Sequence, residues 1–163
     1  MNNLVTEYLT LSPRKLASRI RNVVKAIRAS KIQFDAIAYR GNSGALIAPG
    51  VAIALNKPLI LVRKNNENSH SSYSVEGYVR PECSYIIVDD FVSSGATIEA
   101  ITVDITQEVP DTLCVGVFLY EKGGYRDFSL EYKMPDRYYC SPSGYIFVPA
   151  GGYYNSKINT KRY

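Results

Sequence analysis

Cysteine is scarce in this 163-residue chain. Cys83, Cys114 and Cys140 stand far apart and are odd in number. They match neither a metal-ligand spacing nor a disulfide framework, so free thiols in a reducing compartment are expected. No apolar run approaches the length that spans a membrane. The opening Met1-Asn2-Asn3-Leu4 lacks the basic-then-apolar order of a signal peptide, so a cytoplasmic protein with no membrane contact is expected. Acids are missing between Glu7 and Asp35, while seven basic residues lie from Arg14 to Lys31. Their helical spacing fits a solvated helix face, with contact to a phosphate or a partner as the alternative. A net charge of +4 is too mild for a nucleic-acid binder. Two phosphate-binding signatures are also absent. The chain holds no Gly-x-x-x-x-Gly-Lys-Ser/Thr and no Gly-x-Gly-x-x-Gly.

What is present is a globular composition, 46% apolar and 21% charged. The length suits one domain with a hydrophobic core. Residues 1–163 are read as that domain, with a core of about 13–120 and a C-terminal extension over 121–163. Ser12-Pro13 is a helix start, and Leu16, Ile20, Val23, Val24 and Ile27 follow on one face. Phe34 to Tyr39 reads as a buried strand ending in the loop Arg40-Gly41-Asn42-Ser43-Gly44. Ala45 to Leu55 is helical, interrupted or started by Pro49-Gly50. Pro58 to Val62 is a second strand, closed by Arg63-Lys64. Asn65 to Ser74 is polar and aperiodic and reads as a mobile loop. Val75 to Val79 is a short strand, Tyr85 to Val88 a buried one, Gly95 to Glu108 a helix and Leu113 to Tyr120 a strand. This alternation implies an α/β fold, an open, mostly parallel twisted sheet flanked by helices. Beyond Tyr120 only Tyr145 to Val148 looks like a strand, so a Tyr-rich C-terminal appendage is expected.

The chemistry concentrates in Ile86-Ile87-Val88-Asp89-Asp90-Phe91-Val92-Ser93-Ser94-Gly95-Ala96-Thr97. An apolar strand feeds two acids, then a loop of small and hydroxyl residues, then a helix. Ligands of open α/β sheets sit at the carboxyl ends of strands. Free backbone N–H groups and the dipole at a helix start suit a phosphate, and Ser93, Ser94 and Thr97 add hydroxyl donors. The two acids suit the vicinal hydroxyls of a sugar, or Mg²⁺ held partly through sugar oxygens and water. A phosphate beside a ribose diol describes a ribose 5-phosphate site. The bland alternative is a strand ending in two solvated acids.

This run resembles the motif by which type I phosphoribosyltransferases bind 5-phosphoribosyl-1-pyrophosphate (PRPP). The resemblance implies their fold, transfer of the phosphoribosyl group to a nitrogenous base, Mg²⁺ as cofactor, and a homodimer. It implies that Asp89 and Asp90 meet the ribose hydroxyls and the Mg²⁺–PRPP complex. Phe91, Val92, Ser93, Ser94, Gly95, Ala96 and Thr97 would then wrap the 5′-phosphate; Ala96 stands where many members have Gly. Arg40-Gly41-Asn42-Ser43-Gly44 occupies the place of the family's pyrophosphate loop, with Arg40, Gly41 and Asn42 as the contacts it implies. Arg63 and Lys64 occupy the place of its strand-end Arg-Lys pair. Tyr73-Ser74-Val75-Glu76-Gly77-Tyr78 resembles the flexible loop of the adenine enzymes. By that carry-over Glu76 is the acid/base residue, Tyr73 closes over PRPP and Arg40 assists catalysis. The alternative for Glu76 is an exposed strand-end carboxylate. His70 would contact pyrophosphate or stand idle. Ser93 replaces the acid that hypoxanthine-guanine enzymes carry there, which speaks against a 6-oxopurine enzyme of that type, while the loop points toward adenine or a similar base. A second reading is a regulatory protein that binds PRPP or a nucleotide on the same fold without transferring anything.

Overall fold

The computed structural model describes residues 12–64, 72–90 and 96–120, and the backbone of 138–141 and 144–147. Three helices are present among these, α1 (Pro13–Ser30), α2 (Gly41–Leu55) and α3 (Ala96–Glu108). The strands are β1 (Ala36–Arg40), β2 (Leu59–Val62), β3 (Val75–Gly77), β4 (Ser84–Asp89), β5 (Leu113–Leu119), β6 (Tyr138–Ser141) and β7 (Gly144–Phe147). They form one sheet in the order β3-β2-β1-β4-β5-β7-β6. The central four, β2-β1-β4-β5, are parallel. Antiparallel neighbours flank them, β3 on β2 at one side and β7 on β5 at the other.

Strand alternation sorts the core into two layers. Ile37, Ile86, Val88 and Phe118 pack with Val23, Val24 and Ile27 of α1 and Ile47 and Val51 of α2. Ala36, Ala38, Tyr85, Ile87, Val117 and Leu119 pack with Ile98, Ile101 and Ile105 of α3. Each fully buried aliphatic side chain contributes roughly 1.5–3 kcal/mol. The same period puts Arg40 and Asp89, both at strand ends, on the α3 side.

Helix α1 starts where the sequence indicates. The Ser12 hydroxyl accepts from the Lys15 amide at 3.3 Å, with Pro13 in the first turn. Its apolar stripe is buried, and Arg14, Lys15, Arg21, Lys25 and Arg28 are exposed as expected. Arg19 is the exception, donating to the Tyr120 carbonyl at 2.6 Å.

Helix α2 corrects two expectations. It begins at Gly41 rather than Ala45, so Gly41 to Gly44 are its first turn and not a loop. It also runs unbroken through Pro49. Proline forfeits one backbone bond and crowds the preceding turn, at about 3 kcal/mol. Burial of Ile47, Ala48, Val51 and Ala52 outweighs that cost. Gly50 permits the close approach of α1, since a Cβ there would lie 2.3 Å from Ile20 Cδ1.

The strands differ in extent from the sequence reading. β1 is displaced to Ala36–Arg40, and just ahead of it the Asp35 carboxylate accepts the Ser84 amide at 2.9 Å. β3 stops at Gly77, whose φ of 108° ends the extended run. β6 has no counterpart in the sequence reading, because polar Tyr-Tyr-Cys-Ser shows no burial period. Through the β6–β7 hairpin the C-terminal extension continues the sheet. Cys83 and Cys114 are free and buried, as expected.

Candidate functional site

From β1 the chain passes through α2 to β2 on one side; from β4 it passes through α3 to β5 on the other. The direction reverses between β1 and β4, and open α/β sheets bind ligands at the carboxyl ends of such a pair. Arg40 and Asp89 are the last residues of these two strands. The N-termini of α2 and α3 open at the same edge, where the first backbone N–H groups of a helix have no partner within the helix itself.

Asp89 is 4% exposed. Its Oδ1 accepts from the Asp90 amide at 2.9 Å and from the Ser43 hydroxyl at 3.1 Å. Burial pushes its carboxyl up to about 7, the neighbouring Asp90 charge adds to the rise, and the two hydrogen bonds oppose it. Such an acid ionises fully once positive charge arrives. Two adjacent hard-oxygen carboxylates at one strand end fit Mg²⁺ bound through few protein oxygens and completed by ligand and water.

Residues expected on the pyrophosphate side also stand at this edge. Gly41 turns the chain from β1 into α2 at φ 66°, a left-handed conformation that favours glycine. The Lys64 side chain lies over it, with Cε 2.8 Å and Nζ 3.0 Å from where a Cβ on Gly41 would stand. Lys64 is therefore placed beside Gly41, and Asn42 is exposed in the same first turn. Ala96 and Thr97 are exposed in the first turn of α3. Phe91 to Gly95 and His70 lie outside the described residues.

Arg40 is 9% exposed, and its guanidinium meets the Asp104 carboxylate of α3 at 3.4 Å. Reaching a diphosphate requires it to leave that partner. Arg63 donates to Glu76 at 2.5 Å across β2 and β3. Its Nε is buried and has no partner among the described residues. Tyr73 is 64% exposed just ahead of β3.

No family model matches the chain. Over 109 residues it is 30% identical to an adenine phosphoribosyltransferase of Ureaplasma parvum, covering 58% of this chain and 62% of that protein. Over 121 residues it is 26% identical to an orotate phosphoribosyltransferase of Coxiella burnetii, covering 74% of this chain and 56% of that one. The structure of an orotate phosphoribosyltransferase of Francisella tularensis superposes with a TM-score of 0.56 at 15% identity, over 86% of this chain and 61% of that one. The chain is similar in sequence to adenine and orotate phosphoribosyltransferases and has the type I phosphoribosyltransferase fold.

It spans about three fifths of the curated phosphoribosyltransferases it matches, 62% and 56% in the two cases. Their printed names divide between adenine and orotate. The sequence places Ser43 in the glycine-flanked segment expected at the pyrophosphate and gives no role to Tyr120; the structure joins Ser43 to Asp89 and Tyr120 to Ser43. Nothing in the sequence links Tyr120 to Ser43, 77 positions away.

Proposed function

We propose that this protein is a phosphoribosyltransferase that transfers the 5-phosphoribosyl group of PRPP to a nitrogenous base and releases pyrophosphate. The observation that carries the reading is the buried Asp89 with Asp90, at the carboxyl end of β4 beside the strand-order reversal. The two carboxylates receive the ribose hydroxyls. The segment 91–95 and the start of α3, with Ala96 and Thr97, take the 5′-phosphate. Arg40, Gly41, Asn42, Arg63 and Lys64 form the pyrophosphate side, with Lys64 already lying over Gly41. Asp89 and Asp90 would hold Mg²⁺ through PRPP and water, and the ion would supply positive charge for the departing pyrophosphate.

The anomeric carbon parts from pyrophosphate before the base nitrogen is fully bonded, so catalysis is mainly electrostatic. The pyrophosphate group of bound PRPP satisfies the Arg63 Nε and competes with Glu76 for its guanidinium. Glu76 is thereby released to accept a proton from the base. Tyr73 covers PRPP from the outer side. An adenine-like base is favoured by the Tyr73–Glu76 segment and by Ser93.

A second reading is a protein that binds PRPP or a nucleotide and regulates. The pairing of Arg40 with Asp104 and of Glu76 with Arg63 favours it, because both charged groups assigned to the chemistry are engaged within the protein. Pyrophosphate release from Mg²⁺ and PRPP is measured against adenine, guanine, hypoxanthine, xanthine, orotate, uracil and nicotinamide. Release with adenine, and little with the rest, is expected. PRPP binding without release for any base would establish the regulatory reading instead.

A further inference from the structure

Tyr120, one residue beyond β5, joins three elements at the edge of the site. Its amide donates to the Asp89 carbonyl at 3.1 Å. Its hydroxyl donates to the Ser43 carbonyl at 2.8 Å. Its own carbonyl accepts the Arg19 guanidinium at 2.6 Å. The ring is 6% exposed, in the core layer of α1 and α2. Ser43 in turn donates its hydroxyl to Asp89 Oδ1. The first turn of α2 is thus held from one side by Tyr120 and itself holds the carboxylate on the other.

An aspartate at a strand end rotates freely unless donors fix it. Here both donors, the Ser43 hydroxyl and the Asp90 amide, fall on Oδ1. A binding group must be held to within about half an ångström to work. A phenylalanine would fill the same space as Tyr120 and keep its two main-chain bonds. The hydroxyl is the one part that packing does not require.

We propose that Tyr120 is a positioning residue for the Asp89 carboxylate, acting through Ser43. The inference rests on the reading of Asp89 as a PRPP contact, and it names what orients that contact.

The test uses Tyr120→Phe and Ser43→Ala, singly and together, in the full chain. The first readout needs no ligand: amide hydrogen exchange at Asp90, the other donor to Asp89 Oδ1. Tyr120→Phe is expected to speed that exchange about tenfold while Ile101 and Ile105 of α3 keep their rates. The second readout is calorimetric affinity for Mg²⁺–PRPP. Each single variant is expected to weaken it about five- to tenfold, as one hydrogen bond of about 1 kcal/mol implies. The double variant should be no weaker than the weaker single, because the two act in series. Ser43→Thr, which keeps the hydroxyl, should recover most of the affinity lost in Ser43→Ala. Unchanged exchange at Asp90 in Tyr120→Phe overturns the inference whatever the ligand result. So does a double loss equal to the product of the singles, since Tyr120 would then act independently of Ser43. Absence of PRPP binding by the unaltered protein defeats the ligand reading, while Asp90 exchange still decides the positioning role.

Discussion

The two halves of the candidate site are built differently. At the β4 end, Asp89 is buried and held by Ser43 and the Asp90 amide, and Ser43 is held by Tyr120. Four elements converge there, and the donors are already aimed. At the β2–β3 side the partners are two charged side chains on outer strands, Arg63 and Glu76, partly exposed, with Arg63 Nε left over. A site that recognises a constant sugar phosphate gains from rigidity, because no reorganisation is needed on binding. A site that handles a leaving group and a proton gains from groups that can exchange partners. The first half reads as a binding element set in advance, the second as one completed by the ligand.

The largest effect expected from breaking this contrast is at the β4 end. Replacing Asp89 and Asp90 together by Asn should weaken Mg²⁺–PRPP binding at least 100-fold, on the order of 3 kcal/mol or more. Circular dichroism should show the fold retained. Calorimetry giving the unaltered affinity would remove both residues from the site.

At the outer half the effect should fall on turnover. Glu76→Gln is expected to lower kcat roughly ten- to hundredfold, the range of one acid/base group. PRPP affinity should hold or tighten, because Arg63 loses its competing carboxylate. A kcat equal to the unaltered protein's, with the preferred base, would leave Glu76 as a strand-end partner of Arg63 alone.

The smallest effect is on stability, and its sign follows from Asp89. The folded carboxyl is held near 7, above its ordinary 3.8, so between these pH values the folded state binds more protons than the unfolded one. Stability from this group is therefore full below about pH 4 and declines as pH rises toward and through about 7. Asp89→Asn should accordingly raise Tm by a few degrees at pH 8 and change it little at pH 4. Equal shifts at the two pH values in thermal melts would show that Asp89 is ionised in the fold at both.

Much of the architecture was legible before any coordinates. Ser12-Pro13 marks the start of α1, and the apolar runs locate β2, β4 and β5, because buried parallel strands are continuous in hydrophobicity. The first turn of α2 was not legible. Arg40-Gly41-Asn42-Ser43-Gly44 reads as a loop by composition, and only packing of Ile47 and Val51 on the sheet carries the helix back to Gly41 and through Pro49. β6 escaped notice because its pairing partner, β7, and not its own periodicity, makes it a strand.

For the site, the sequence alone determined that two acids follow an apolar strand and precede a helix, since covalent order fixes those neighbours. It also placed Lys64 and Arg63 at a strand end. Tertiary structure decided the rest. It turned Arg40 toward Asp104, joined Glu76 to Arg63, and bonded Ser43 to Asp89 across 46 positions. A carboxylate's neighbours in the chain are written in its sequence. Its neighbours in space, which decide whether it is charged and where it points, come only from the folding of strands whose residues are far apart in sequence.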